Sequence, residues 1–470
     1  MGKVREYVAN VSAQGLGRLC SMGASIAVFV IIARQLGTDA FGEFSYVLTF
    51  LSLSILLAEF GTGSVIGKDL TQVQDSPEGY WGNFLMLRLA MGLSMIVPSV
   101  AAAYALRQDL FPYLLFSLMF LPILASHFFE PVFQVFNRPL FSVYTNAGYG
   151  MTYLILVVLT LLQTHDIMFI LAAYILANLV YCVVSLHLAF KLLKPVFRFD
   201  PAFIKKILRI AFPIGFADLF VIVNARAAIL IMAYMKLDHE VAVYNAAFRF
   251  VEMAAVLAVV AMTPLIPILS QQAVTDRAML KKTFTIVIEG ISFILLPCAI
   301  LLPSVSPMII TLLFGNAFSE SVYVLNILGW MALFVFYSLF GSALCLSIEV
   351  VSFKYWNTVL AACLNVTLNY LWIPKYGAAG SAWVALICEV LLSFITFVYI
   401  TRHLGNVFRP AQCLKIITVN GILYAFLQLS PEASEWVAVG LAPILYTALL
   451  IAFRVIPRDI LSSITKALHT

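Results

Sequence analysis

The sequence predicts an all-α polytopic membrane protein with about fourteen transmembrane helices, arranged as two six-helix lobes plus a C-terminal helix pair. Three observations predict it. The 470 residues are 63% hydrophobic and only 11% charged, with a mean hydropathy of +1.00, which no soluble domain of this size shows. Long apolar stretches recur at regular intervals along the whole chain. One long basic connection, 191–209, interrupts them after the sixth stretch, and weak internal repetition spans it.

The first two spans, 12–34 and 41–66, set the pattern. Gln14, Arg18, Ser21 and Ser25 recur at spacings of 4, 3 and 4 and share one helix face. Ser45, Thr49, Ser52 and Glu59 form a similar stripe on the second span. Polar groups facing lipid are costly, so both stripes are expected to face protein or water. The remaining spans are placed at 84–106, 111–135, 143–163, 167–190, 210–235, 242–270, 284–303, 321–348, 354–374, 378–401, 411–429 and 436–456. The piece 306–315 is too short to span and reads as an interfacial or partly re-entrant turn. Pro264 and Pro267 mark the most plausible moving bend among the helix prolines. Trp81, Trp436 and Tyr80 are expected in interfacial belts.

Basic residues set the orientation. Of the 28 Lys and Arg, 21 fall on the side of the N-terminus, four (Arg34, Arg107, Lys236 and Lys375) fall on the other, and Arg18, Arg226 and Arg249 lie inside the membrane. Both termini are therefore expected in the cytoplasm, and the net charge of +5 needs no nucleic-acid partner. The domain expectation is an N-lobe at 1–195, a C-lobe at 196–402 entered through the linker 191–209, and a helix pair at 403–470. A shift of 200 residues pairs Gly15 with Gly215, Arg18 with Asp218 and Phe50 with Phe250, and places Asn245, Arg249 and Glu252 in phase with Ser45, Thr49 and Ser52. Two six-helix copies have the same orientation, as in transporters built from parallel repeats.

No catalytic constellation stands out. There is no Walker-type phosphate loop, no HExxH and no CxxC, and the seven cysteines sit mostly in apolar segments. No cofactor or metal is indicated, and the chain does not read as an enzyme. The carboxylates Glu59, Glu130, Glu289, Glu349 and Glu389 lie in or near spans, several of them close to helix ends where a hydrated charge is ordinary.

Several motifs carry a family resemblance. Ser12-Ala-Gln14 with Arg18, Ala33-Arg34-Gln-Leu-Gly37, Phe41-Gly42-Glu-Phe44-Ser45 and Glu59-Phe60-Gly61 resemble the start of polysaccharide transporters. Leu313-Phe314-Gly315 with Phe318, and Tyr376-Gly377-Ala-Ala-Gly380, extend the likeness along the chain. These transporters are the Wzx-type lipid-linked oligosaccharide flippases of the MOP superfamily, related to multidrug/toxin extruders and the lipid II flippase. The resemblance implies a V-shaped MOP/MATE-like pair of lobes in the bacterial inner membrane. It implies alternating-access transfer of undecaprenyl-diphosphate-linked oligosaccharide units to the periplasmic leaflet, for O-antigen, capsule or exopolysaccharide. Membrane lipids, a polysaccharide polymerase and other assembly proteins are the partners it implies.

A lipid diphosphate must carry negative charge across an apolar layer, and Arg binds phosphate oxygens through paired hydrogen bonds. The expected cationic path is Arg18, Arg226 and Arg249 at three depths, with Arg34 and Arg88 near the mouths and Gln14 on the stripe beside Arg18. Internal pairing is the alternative for each: Arg249 has Glu252 one turn away, and Arg18 has Asp218 as its repeat equivalent. Asp218, Glu252 and Glu59 are the candidates for gating or for carrying a coupling ion, H+ or Na+. A cation-coupled small-molecule exporter of the same fold is the alternative function.

Overall fold

A computed structural model describes residues 2–70, 77–125, 129–136, 138–263, 265–348, 351–407, 409–429 and 435–453. They are almost wholly helical, and ten helices among them are long and apolar enough to cross a membrane. In chain order the helices are α1 (Gly2–Glu59), α2 (Thr62–Asp69), α3 (Pro77–Leu106), α4 (Phe111–Leu118), α5 (Leu121–Ala125), α6 (Glu130–Val135), α7 (Pro139–Leu161), α8 (Ile167–Leu192), α9 (Pro201–Tyr234), α10 (Asp238–Met262), α11 (Leu265–Thr275), α12 (Arg277–Phe314), α13 (Ser321–Ser347), α14 (Val351–Leu404), α15 (Pro410–Leu429) and α16 (Glu435–Ala452).

Turn chemistry explains where the sequence pattern and the helices differ. The first two expected spans run together as α1, interrupted at Gly37 with φ 76° and ψ −177°. The eleventh and twelfth run together as α14, interrupted at Gly377 with φ 52° and ψ −137°. A side chain at such a φ is strained, so glycine makes these single-residue reversals possible. Both glycines belong to the motifs that carry the resemblance. The span expected at 111–135 is broken into α4, α5 and α6. That expected at 242–270 divides between α10 and α11, with Pro267 in the first turn of α11; Pro264 lies outside the described residues.

Two expectations are corrected. The stretch 306–315 is not a re-entrant turn, because α12 runs unbroken through Phe314 despite Pro297, Pro303 and Pro307. It ends at Gly315, at φ 88°. Trp81 is not in an interfacial belt: it is 0% exposed, stacked on Phe84 at 6.2 Å and edge-on to Phe129 at the same centroid distance.

The helices form two compact units, Met1–Ala246 with Thr358–Ser381, and Ala247–Asn357 with Ala382–Thr470. In the first, α1 packs on α7, α3 and α9. Its core gathers Trp81, Phe84, Phe129, Phe133, Ile66 and Ile207. Lipid tails are as apolar as these side chains, so close packing rather than water exclusion holds such helices together. At Gly42 a Cβ would stand 1.9 Å from the Asp238 carbonyl oxygen, and at Gly61 one would stand 2.4 Å from the Gly215 nitrogen. The first contact seats α1 against α10, and the second seats the break between α1 and α2 against α9. In the second unit α12 packs on α13, α15 and α16, with one core at Phe284, Leu344, Phe397 and Ile400 and another at Ile416 and Val419.

Candidate functional site

Two buried arginines organise the polar chemistry of the first unit. α3 ends at Leu106, and the next residue, Arg107, turns inward with its side chain only 1% exposed. Its Nε and Nη2 donate to Asp109 at 3.0 and 2.7 Å. Nη1 and Nη2 donate to the two oxygens of Asp238, both at 3.0 Å. Nη1 also donates to the Ala233 carbonyl at 2.7 Å, and the guanidinium carbon stands 5.5 Å from the centroid of the Tyr46 ring. Charge-assisted, forked bonds of this kind are strong and geometrically specific. They hold Asp109 below the usual carboxylate range, chiefly through the hydrogen bonds from Arg107.

This node joins the turn after α3 to the turn between α9 and α10. Gly42 admits the backbone of that second turn against α1. Nearby, Glu240 on the first turn of α10 accepts from the Ala378 backbone N–H at 2.6 Å, just past the reversal at Gly377. Four chain reversals of the first unit are thus held by backbone contact, one guanidinium and three carboxylates.

The second arginine is Arg88 on α3, also 1% exposed. Its Nη2 donates to Glu59 Oε1 at 2.6 Å, and its Nη1 donates to the Thr62 hydroxyl at 3.0 Å. Thr62 in turn donates to the Glu59 carbonyl across the break between α1 and α2. Asp218 on α9 lies one turn beyond the contact of Gly61 with Gly215.

The other residues singled out in the sequence fall as follows. Gln14 and Arg18 lie on α1, with side chains outside the described residues. Arg34 is exposed just before the Gly37 reversal, and Arg226 is half-buried on α9. Arg249 and Glu252 pair on α10 at 2.8 Å, with side chains 23% and 26% exposed. Glu389, on α14 in the second unit, is 7% exposed and accepts from the Ser338 hydroxyl. Among the described residues no group of three or more His, Cys, Asp and Glu side chains could hold a metal ion.

With this geometry in place, the comparisons with known proteins decide the family. The model of the polysaccharide biosynthesis protein family matches residues 7–272, more than half of the chain. The chain belongs to this family. No curated protein sequence matches it. Similar solved structures include the lipid II flippase MurJ in an inward closed conformation, with a TM-score of 0.76 at 14% identity over 95% of this chain and 99% of that one. An inward-facing multidrug resistance MATE family transporter of the MOP superfamily gives a TM-score of 0.69 at 14% identity, over 84% of this chain and 95% of that one. The outward-facing form of a MATE transporter gives 0.60 at 14% identity, over 85% and 96%.

This polysaccharide biosynthesis family member thus shares the fold of the lipid II flippase and MATE transporter structures. Sequence reasoning singled out Arg88 and Glu59 separately, and the structure brings them together. It missed the Arg107 node, reading Arg107 only as one of four basic residues in loops on one side. The Arg107-Gln-Asp109 spacing is a local hint of a charged turn. Its partner Asp238 lies 131 residues away and leaves no local signature.

Proposed function

We propose that the chain is a flippase that carries a polyprenyl-diphosphate-linked oligosaccharide unit from the cytoplasmic to the periplasmic leaflet, for surface polysaccharide synthesis. The family match over 7–272 carries this reading. The intramembrane arginines support an anionic lipid cargo, since a cationic cargo would favour an acidic lining. On this reading the protein sits in the bacterial inner membrane with both termini in the cytoplasm, and it supplies a polysaccharide polymerase and other assembly proteins.

Arg18, Arg226 and Arg249 serve the diphosphate in succession, with Arg34 and Gln14 near the path. Arg88 acts through Glu59, which it pairs directly. Glu59, Asp218 and Glu252 are the carboxylates that can carry a coupling H+ or Na+. The Arg107–Asp238 bonds lie on the periplasmic side of this topology and form in the conformation described here. On this reading the node acts as a gate whose bonds release when that side opens.

Deleting the gene tests the reading. The expected result is loss of a surface glycan with build-up of its lipid-linked precursor. An intact glycan, with new sensitivity to cationic drugs, would overturn it in favour of a cation-coupled exporter.

A further inference from the structure

The second unit holds a slot of about 550 Å³ between α12, α13, α14 and α15. Its walls are apolar over most of their length, with Leu296, Phe394 and Ile417 among them. Along α14 it runs from Val390 to Arg402, twelve residues, or about 18 Å at the helical rise of 1.5 Å per residue. That is close to the depth of one leaflet, since the hydrocarbon core of a bilayer is about 30 Å thick.

The mouth of the slot is charged in an unusual way. Glu289 lines it and is only 5% exposed. Neither of its carboxylate oxygens accepts a hydrogen bond from any described residue. The nearest cation, Arg409 Nη1, stands 3.8 Å from Oε2, too far for a hydrogen bond. The neighbouring hydroxyls are committed elsewhere: Ser292 and Tyr337 bond each other at 2.7 Å, and Thr285 donates to the Val407 carbonyl at 2.9 Å. Arg402 and Arg409, both exposed, complete the mouth. Beside it, Arg277 and His403 line an adjoining pocket of about 290 Å³. A buried carboxylate without a donor is costly, so the site is built for a ligand that brings one.

We infer that this slot is a binding site for a phospholipid with an ethanolamine headgroup. One acyl chain fills the apolar length, the phosphate meets Arg402 and Arg409, and the ammonium donates to Glu289. Each feature of the mouth has a counterpart in that headgroup. A choline headgroup offers no N–H to Glu289. A polyprenyl diphosphate offers none either, and sets added negative charge against a buried carboxylate. The inference needs only a membrane-embedded fold and stands apart from the identity of the cargo.

The test uses the full-length protein purified in detergent, with bound lipid read by native mass spectrometry and by the shift in thermal midpoint. Phosphatidylethanolamine is compared with phosphatidylcholine of the same chains. The expected result is at least five-fold preferential retention of the ethanolamine lipid. Glu289→Gln is expected to bring the two lipids to near parity, and Arg409→Gln to weaken both. Ile417→Trp, at an exposed position on the slot wall, is expected to block both without altering the unliganded midpoint. Equal retention of the two lipids by the unaltered protein would overturn the inference. So would an unchanged preference in Glu289→Gln, or displacement of the ethanolamine lipid by stoichiometric polyprenyl diphosphate.

Discussion

Replacing Arg107 with alanine removes the centre of the gate node and is the most informative single substitution. The side chain is 1% exposed and holds Asp238, itself 17% exposed, through two hydrogen bonds. Removing one partner of a buried pair costs about 3–5 kcal/mol, mostly because the other charge is left buried. Asp109 is 41% exposed and can turn to water, so it adds little. If the bonds exist only while this side is closed, losing 3–5 kcal/mol shifts the balance of open to closed forms by about two to three and a half powers of ten. Cysteines at positions 109 and 236 report the shift, because Lys236 Nζ lies 3.9 Å from Asp109 Oδ1. In a background without native cysteines, the short cross-link between them is expected to form readily and to fall sharply with Arg107→Ala. Adding Asp238→Ala to that variant is expected to restore much of the thermal stability but not the cross-link, since the buried orphan charge is gone and the tie is still missing. An unchanged cross-linking yield and unchanged transport in Arg107→Ala would refute the gate.

Further outcomes follow from the same geometry. Gly42→Ala places a methyl group 1.9 Å from the Asp238 carbonyl oxygen; overpacking costs about 1–3 kcal/mol, and a contact this short is expected at the upper end, seen as a lowered thermal midpoint. Arg88→Ala leaves the Glu59 carboxylate without its guanidinium, whereas Glu59→Gln keeps an acceptor for Arg88; the first is expected to lower the midpoint more, and equal losses would contradict the pairing. Asp109 has its carboxyl held down by Arg107. A depressed folded-state value means its contribution is fully present above the unfolded pKa of about 3.9 and is lost only as pH falls through the lower folded value. The 109-side tie, followed by trypsin protection at the turn after Leu106, is therefore expected to stay flat from pH 8 to about 5 and to weaken below about 4. Asp109→Asn should lose that acid limb.

The fold was legible in the sequence because membrane helices are written in long apolar runs and in the glycines that reverse them. Gly37 and Gly377 were read as motif residues, and the structure gives them a physical role as positive-φ reversals inside α1 and α14. The apolar pattern could not show that α12 would continue through three prolines, because continuity at that point depends on packing against α13. Nor could it show that Trp81 is core rather than interface, since burial depends on Phe129, which is distant in sequence. Polar stripes indicated which residues point away from lipid, but a stripe does not say what it meets. Arg249 and Glu252 were legible as a pair because they share one helix. Arg88 with Glu59, and Arg107 with Asp238, join elements 29 and 131 residues apart, and only the folded chain shows those partners. Glu289 was read only as one of five carboxylates in or near spans; its burial at the head of a slot becomes visible only when α14 and α15 are in place.

The central claim is transfer of a lipid-linked oligosaccharide, and reconstitution tests it most directly. The purified protein is placed in vesicles carrying a labelled polyprenyl-diphosphate oligosaccharide on one leaflet, and a membrane-impermeant glycan-cleaving enzyme reports arrival on the other. The account predicts protein-dependent cleavage that Arg107→Ala alters and that a charge reversal at Arg226 abolishes. Protein-free and protein-containing vesicles releasing glycan at the same rate, while the same vesicles move a lipophilic organic cation, would contradict it.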